Sequence, residues 1–213
     1  MTLALRLNCA TVRAVEGRLL IKNCTLQHAG ELRHRQAVVI EGAVITGIHD
    51  DARVPVLPGD WEIAAQERLL LTGRARSSTK FSEVLRGSSS GASAEAVARW
   101  VCAQHLLNGF TTVTEQLPPG VSAEQFDTIA RALGLQIGSP AAAAGAELSV
   151  GQEANLILVD AVVPQVESLT VLTTDAPVSW VITEGLVRVR ERHLLAVDAI
   201  ALAQQCAAVL RAP

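Results

Sequence analysis

An α+β fold is predicted from three observations. β-type patterning fills both ends of the chain, a single helix–strand–helix stretch lies between them, and Gly, Pro and Ser stand where the period changes.

The elements follow in order. Residues 17–26 (Gly17 to Leu26) are rich in branched apolar side chains and read as a strand. Residues 36–48 read as two strands turning at Glu41-Gly42, followed by short strands at 61–64 and 68–71. The first 72 residues thus predict an antiparallel meander. Gly87 to Ser93 is a Ser/Gly loop, and Ser93 is placed to cap a helix carrying Ala96, Val97, Trp100, Val101, Leu106 and Leu107. Asn108-Gly109 ends it, and Phe110–Thr114 is a strand. Ser122 opens a second helix with Phe126, Ile129, Ala130 and Leu133 on one stripe, stopped by Gly134. After an Ala-rich segment the β pattern returns at 154–160, and 178–189 is a hairpin turning at Glu184-Gly185. Asp198 starts a C-terminal helix.

Composition narrows the function classes. The chain has 213 residues and a formal net charge of -3, with 49% hydrophobic and 18% charged residues. Mean hydropathy is +0.31. No run reaches the roughly 18–20 apolar residues of a membrane span, so the apolar excess is expected to cover a partner interface. The first residues lack the basic flank and apolar stretch of a secretory signal. The four cysteines are scattered without a CxxC pair and read as free thiols, which predicts a cytoplasmic protein. Charges are mixed along the chain, which argues against nucleic-acid binding.

Several segments resemble the amidohydrolase superfamily. Leu69-Leu-Leu-Thr-Gly73, followed by Ser78-Thr79-Lys80, is similar to the strand and turn that precede that family's His-x-His. Leu19 to Leu26 and Val38 to Ile48 resemble its front sandwich strands, and Gly145 to Asp160, with Asn155 in the Asp slot, resembles the returning strand. Leu106 to Thr114 is similar to its second barrel strand, and Leu85-Arg86-Gly87 points to the aminohydrolase and chlorohydrolase branch. The resemblance implies a composite β-sandwich, of the kind found in urease alpha subunits, formed by 1–72 plus 146–213 with the C-terminal helix. A reduced barrel remnant would occupy 73–145. About 30 residues separate Thr114 from Gly145. A (β/α)8 barrel needs roughly 200 residues or more, so it cannot close here.

The same resemblance places Ser78 and Lys80 on the metal-binding histidines. A hydroxyl is a poor zinc or iron ligand and an ammonium repels a cation, so no metal and no other cofactor is expected. Ser78, Lys80, His105 and Glu115 form the candidate pocket. Each also has a plainer reading: Ser78 and Lys80 as solvated loop residues, Glu115 as a solvated carboxylate, His105 as a core or interface histidine.

Three functions follow as expectations. The first is a catalytically degenerate, non-catalytic subunit that associates with itself or with a full-length amidohydrolase-type partner, its remnant exposing apolar surface that once lay inside a barrel. The second is a residual hydrolase of non-peptide C–N bonds in a small cyclic substrate, completed by another chain. The third is a small-molecule binding module in the crevice between sandwich and remnant.

Overall fold

Strand β1 (Leu19–His28) opens on three consecutive apolar residues because both faces are packed there: Leu19 and Ile21 enter one apolar cluster and Leu20 another. A computed structural model describes residues 17–28, 30–78, 91–115, 121–138, 147–162, 176–195, 198 and 200–204. These form a mixed α+β fold, mostly sheet. Strand β1 pairs antiparallel with β2 (Glu31–Glu41), and β2 with β3 (Val44–Asp50), turning through Gly42 at φ 59°. The turn stands where the alternating apolar residues break at Glu41-Gly42.

The meander then departs from the antiparallel expectation. Strand β4 (Trp61–Ala64) lies parallel to β1, with Leu19 opposite Trp61 and Ile21 opposite Ile63. Residues 51–60 carry the chain back across the sheet end, so it re-enters in the direction of β1. Arg18 and Asp60 pin that entry with a 2.7 Å ion pair, and the Trp61 amide donates to the Arg18 carbonyl at 2.9 Å. Strand β5 (Arg68–Thr72) follows a tight turn at Gln66-Glu67. It pairs antiparallel with β9 (Leu156–Val162) and meets β1 only at Thr25 and Leu69.

The β5–β9 pairing joins the two ends of the chain. Beyond β9 lie β10 (Val178–Thr183), β11 (Leu186–Arg190) and the two-residue β12 (His193–Leu194), giving the order β12-β11-β10-β9-β5-β1-β2-β3 with β4 beside β1. A second contact ties the sheet's far edge back to β9. The Ile45 amide donates to Gln152, the Ala154 amide donates to Ala43, and Val44 bridges Glu153. Enclosed between them is one apolar core of residues from both ends, including Ile21, Ile40, Ile45, Leu70, Leu156, Leu158 and Ile182.

Gly73 ends β5 and begins a smaller sheet. Strands β6 (Arg74–Ser78), β7 (Phe110–Glu115) and β8 (Gln136–Ile137) run parallel in that order. Helix α1 (Gly91–Leu107) connects β6 to β7, and α2 (Ala123–Leu133) connects β7 to β8. Helix α1 begins at Gly91, ahead of Ser93, so Ser93 lies inside the helix and is not its cap. Ser122 does cap α2: its hydroxyl accepts from the Gln125 amide while the Gln125 side chain accepts from the Ser122 amide, and Gly134 closes the helix at φ 86°. Asp198 caps the helix that runs through 200–204, its carboxylate accepting from the Ile200 and Ala201 amides. The rest of the expected C-terminal helix lies outside the described residues.

Both helices bury their apolar stripes against the outer face of β9–β11. Val97, Cys102, Leu106, Phe126, Ile129 and Leu133 meet Ile157, Val159, Val178, Val181 and Val189 in a second core. This differs from the expected apolar exposure of the central segment: of its described residues, Ile137 is the large hydrophobic that remains exposed. Helices and sheet both lose water in this contact, and at about 25 cal/mol per Å² that burial holds the α/β unit onto the sheet. No described helix is long and apolar enough to cross a membrane.

Candidate functional site

The parallel strands bring two of the four candidate residues together. Ser78 ends β6 and Glu115 ends β7, and the register pairs them directly. Parallel sheets offer ligands the carboxyl ends of their strands, so this is where the fold would present chemistry. His105 is placed elsewhere. It sits near the end of α1, buried, with its ring edge-on to Phe110 at 5.7 Å and 84°. Phe110 starts β7, so His105 belongs to the opposite end of that strand, roughly 16 Å from Glu115 at about 3.3 Å per residue. Lys80 lies outside the described residues.

A metal of the kind implied by the resemblance needs several imidazole or carboxylate donors converging on one point. The β6 and β7 ends offer Ser78 and Glu115, one hydroxyl-bearing and one carboxylate-bearing residue, and these do not fit that requirement. Among the described residues no group of three His, Cys, Asp or Glu stands close enough to hold a metal ion. Cys24 is no nucleophile either: burial pushes its thiol up to about 12, and its sulfur donates to the Gln36 carbonyl at 3.2 Å.

A cleft of about 570 Å³ opens between the small sheet and the joined ends of the large one. The strand pleat explains its lining. Val113 points to the helices and belongs to their core, so its neighbour Thr112 faces the other way, into the cleft. Thr111 is the extra residue of the β6–β7 register shift, since Arg74 pairs with Phe110 and Ala75 with Thr112. Its side chain fills the space above Gly73, where a Cβ would lie 2.0 Å from the Thr111 hydroxyl oxygen; only glycine fits there. The glycine at 73 therefore follows from the close approach of the Thr111 side chain.

The cleft wall is a fixed polar chain. Asn155 donates its amide to Gln136 Oε1 at 3.1 Å and to Glu153 Oε2 at 3.0 Å. Its carbonyl oxygen accepts from the Glu184 amide at 3.0 Å, and Gln136 donates to Glu153 Oε1 at 3.0 Å. Asn155 thereby couples β8, the approach to β9 and the β10–β11 turn. Sequence reading noted Asn155 only as a replacement in a strand motif, and it missed Thr112, Gln136 and Glu153. These residues form no motif, because they come from three segments that the topology alone brings together.

No family model and no curated protein matches the chain. Solved structures do. An adenosine deaminase from Xanthomonas campestris with bound zinc is similar at 12% identity and a TM-score of 0.65, covering 91% of this chain and 98% of that one. A triazine hydrolase from Arthrobacter aurescens is similar at 16% identity with a TM-score of 0.43, and an amidohydrolase from a Sargasso Sea sample at 19% and 0.40. The chain spans about a third of these two: 35% of the triazine hydrolase and 32% of the amidohydrolase, covering 57% and 56% of itself.

Proposed function

We propose, from the amidohydrolase-superfamily fold that this chain carries, that it is a catalytically degenerate homologue serving as a non-catalytic structural or regulatory subunit. It associates with itself or with a full-length partner of the same fold. In this reading the nine-stranded sheet is the composite sandwich and β6-α1-β7-α2-β8 is the reduced barrel.

One observation carries the reading. The sheet made from both chain ends has a filled apolar core, while β6, the strand that leaves it, ends on Ser78 where the resemblance places the first histidine. Stability is thus invested in the scaffold, and the strand end that would anchor hydrolysis carries a residue unsuited to a metal. The apolar composition and the exposed Val44, Val150 and Ile137 support association.

The test is light scattering on the size-exclusion peak of the natively expressed protein, with zinc and iron measured on the same fractions. The expected result is a mass above the 22.5 kDa of one chain, or a co-purifying partner at fixed ratio, with metal far below one per chain. Stoichiometric zinc or iron, or a monomer free of any partner, would overturn it.

A further inference from the structure

We propose that the cleft between the small parallel sheet and the joined chain ends is a binding site for a small organic cation bearing several N–H donors, an alkylamine or guanidinium. The inference is independent of the subunit reading, since a subunit can bind such a ligand or not.

Two separate observations point to it. The first is charge. Three carboxylates, Asp127, Glu153 and Glu184, line the cleft against one guanidinium, Arg131. Arg131 is held by Asp127 at 2.7 Å, which leaves Glu153 and Glu184 as the net charge. Glu153 is fixed by Gln136 and Asn155, and each of its oxygens accepts only one of those bonds, so lone pairs remain for a ligand.

The second is Thr112. It is 7% exposed, it lines the cleft, and among the described residues its hydroxyl has no hydrogen-bond partner. That hydroxyl opens on the cleft, where a ligand N–H can donate to it. Thr72, on the other side of Gly73, brings a second hydroxyl to the same wall, and Gln136 keeps one amide N–H unused. The wall is therefore dominated by acceptors, with its amides already oriented. An anion would be repelled by Glu153 and Glu184, and an apolar ligand would desolvate their remaining lone pairs without replacing the lost water.

Calorimetric titration of the full chain with agmatine and with spermidine tests this, with tetramethylammonium as a cation that has no N–H. Saturable binding of at least one of the two amines near or below about 1 mM is expected, with none for tetramethylammonium. Thr112→Val keeps the shape and removes the unpaired hydroxyl. It is expected to leave the melting temperature unchanged or raise it while weakening amine binding about tenfold. Glu184→Gln, whose side chain holds no structural bond among the described residues, should weaken binding several-fold. No saturable binding of either amine, equal binding of tetramethylammonium, or unchanged amine affinity in both variants would overturn the proposal.

Discussion

At the residue scale, Asp60 shows how a single pair fixes a chain path. Its carboxylate accepts from the Arg18 guanidinium at 2.7 and 3.1 Å and from the Leu57 amide at 2.8 Å. Those bonds, Arg18's foremost, lower its pKa from 3.8 to about 2. A carboxylate depressed in the folded state adds stability that is complete above its unfolded value and is lost as pH falls through the folded one. The window here runs from about 4 down to about 2. Asp60→Asn should therefore be less stable than the parent at pH 7, and the gap should close across that window. Urea midpoints at pH 7, 4 and 2.5 check it; a gap that stays constant with pH would refute the assignment.

Hairpin tips and helix caps hold the elements in register. Gly185, in the β10–β11 turn, has φ 72°, and a Cβ there would lie 1.8 Å from the Gly42 carbonyl oxygen of the β2–β3 turn. The two hairpins touch backbone to backbone. Gly42 also has a left-handed φ, of 59°, but a Cβ on it would meet nothing within 4 Å. Gly42→Ala should cost only about 1–2 kcal/mol of backbone strain, whereas Gly185→Ala should exceed it by about 2 kcal/mol or more, because backbone must move. Equal losses in chemical denaturation would show that the tips do not press together. Ser122→Ala should cost about 1 kcal/mol by removing one arm of the α2 capping box, again read from the denaturation midpoint. Both hairpin turns and this cap were legible in the sequence, since each combines an apolar pattern with a residue of special local chemistry. Strand β6 was not: Arg74-Ala-Arg-Ser-Ser78 has no apolar alternation, and its partner β7 makes it a strand. Strands β8 and β12, of two residues each, are too short to show a period. The parallel sense of β4 was equally hidden, because it depends on the path of 51–60. The strand-end pair of Ser78 and Glu115 could be placed from motif order. The cleft residues could not, because their proximity exists only once β8 and the β9 approach have met.

For the whole molecule, the decisive fact is that neither of the two large apolar clusters is built by one chain end alone. Trp61 in β4 and Trp180 in β10 come from opposite ends and border the same apolar cluster. Trp100 in α1 packs on the second cluster, which shares strands β9–β11 with the first. The pairing of β5 with β9 joins residues from Thr72 and Leu156 out to Arg68 and Val162, far apart in the chain, so its loop-closure entropy must be overcome before the cluster they share can form. Folding of the two ends is then one event. Variants retaining only Trp61 or only Trp180, with the other tryptophans changed to Phe, should show the same denaturant midpoint once each is referenced to its own stability by circular dichroism. The Trp100-only variant should follow them, because detaching the helices uncovers Ile157, Val159, Val181 and Val189 together on the face they cover. An earlier Trp100 transition would mean that the α/β unit melts off an intact sheet, making it a separable unit. Distinct midpoints for Trp61 and Trp180 would mean that the ends fold as independent modules, which one sheet strung through β5 and β9 does not permit.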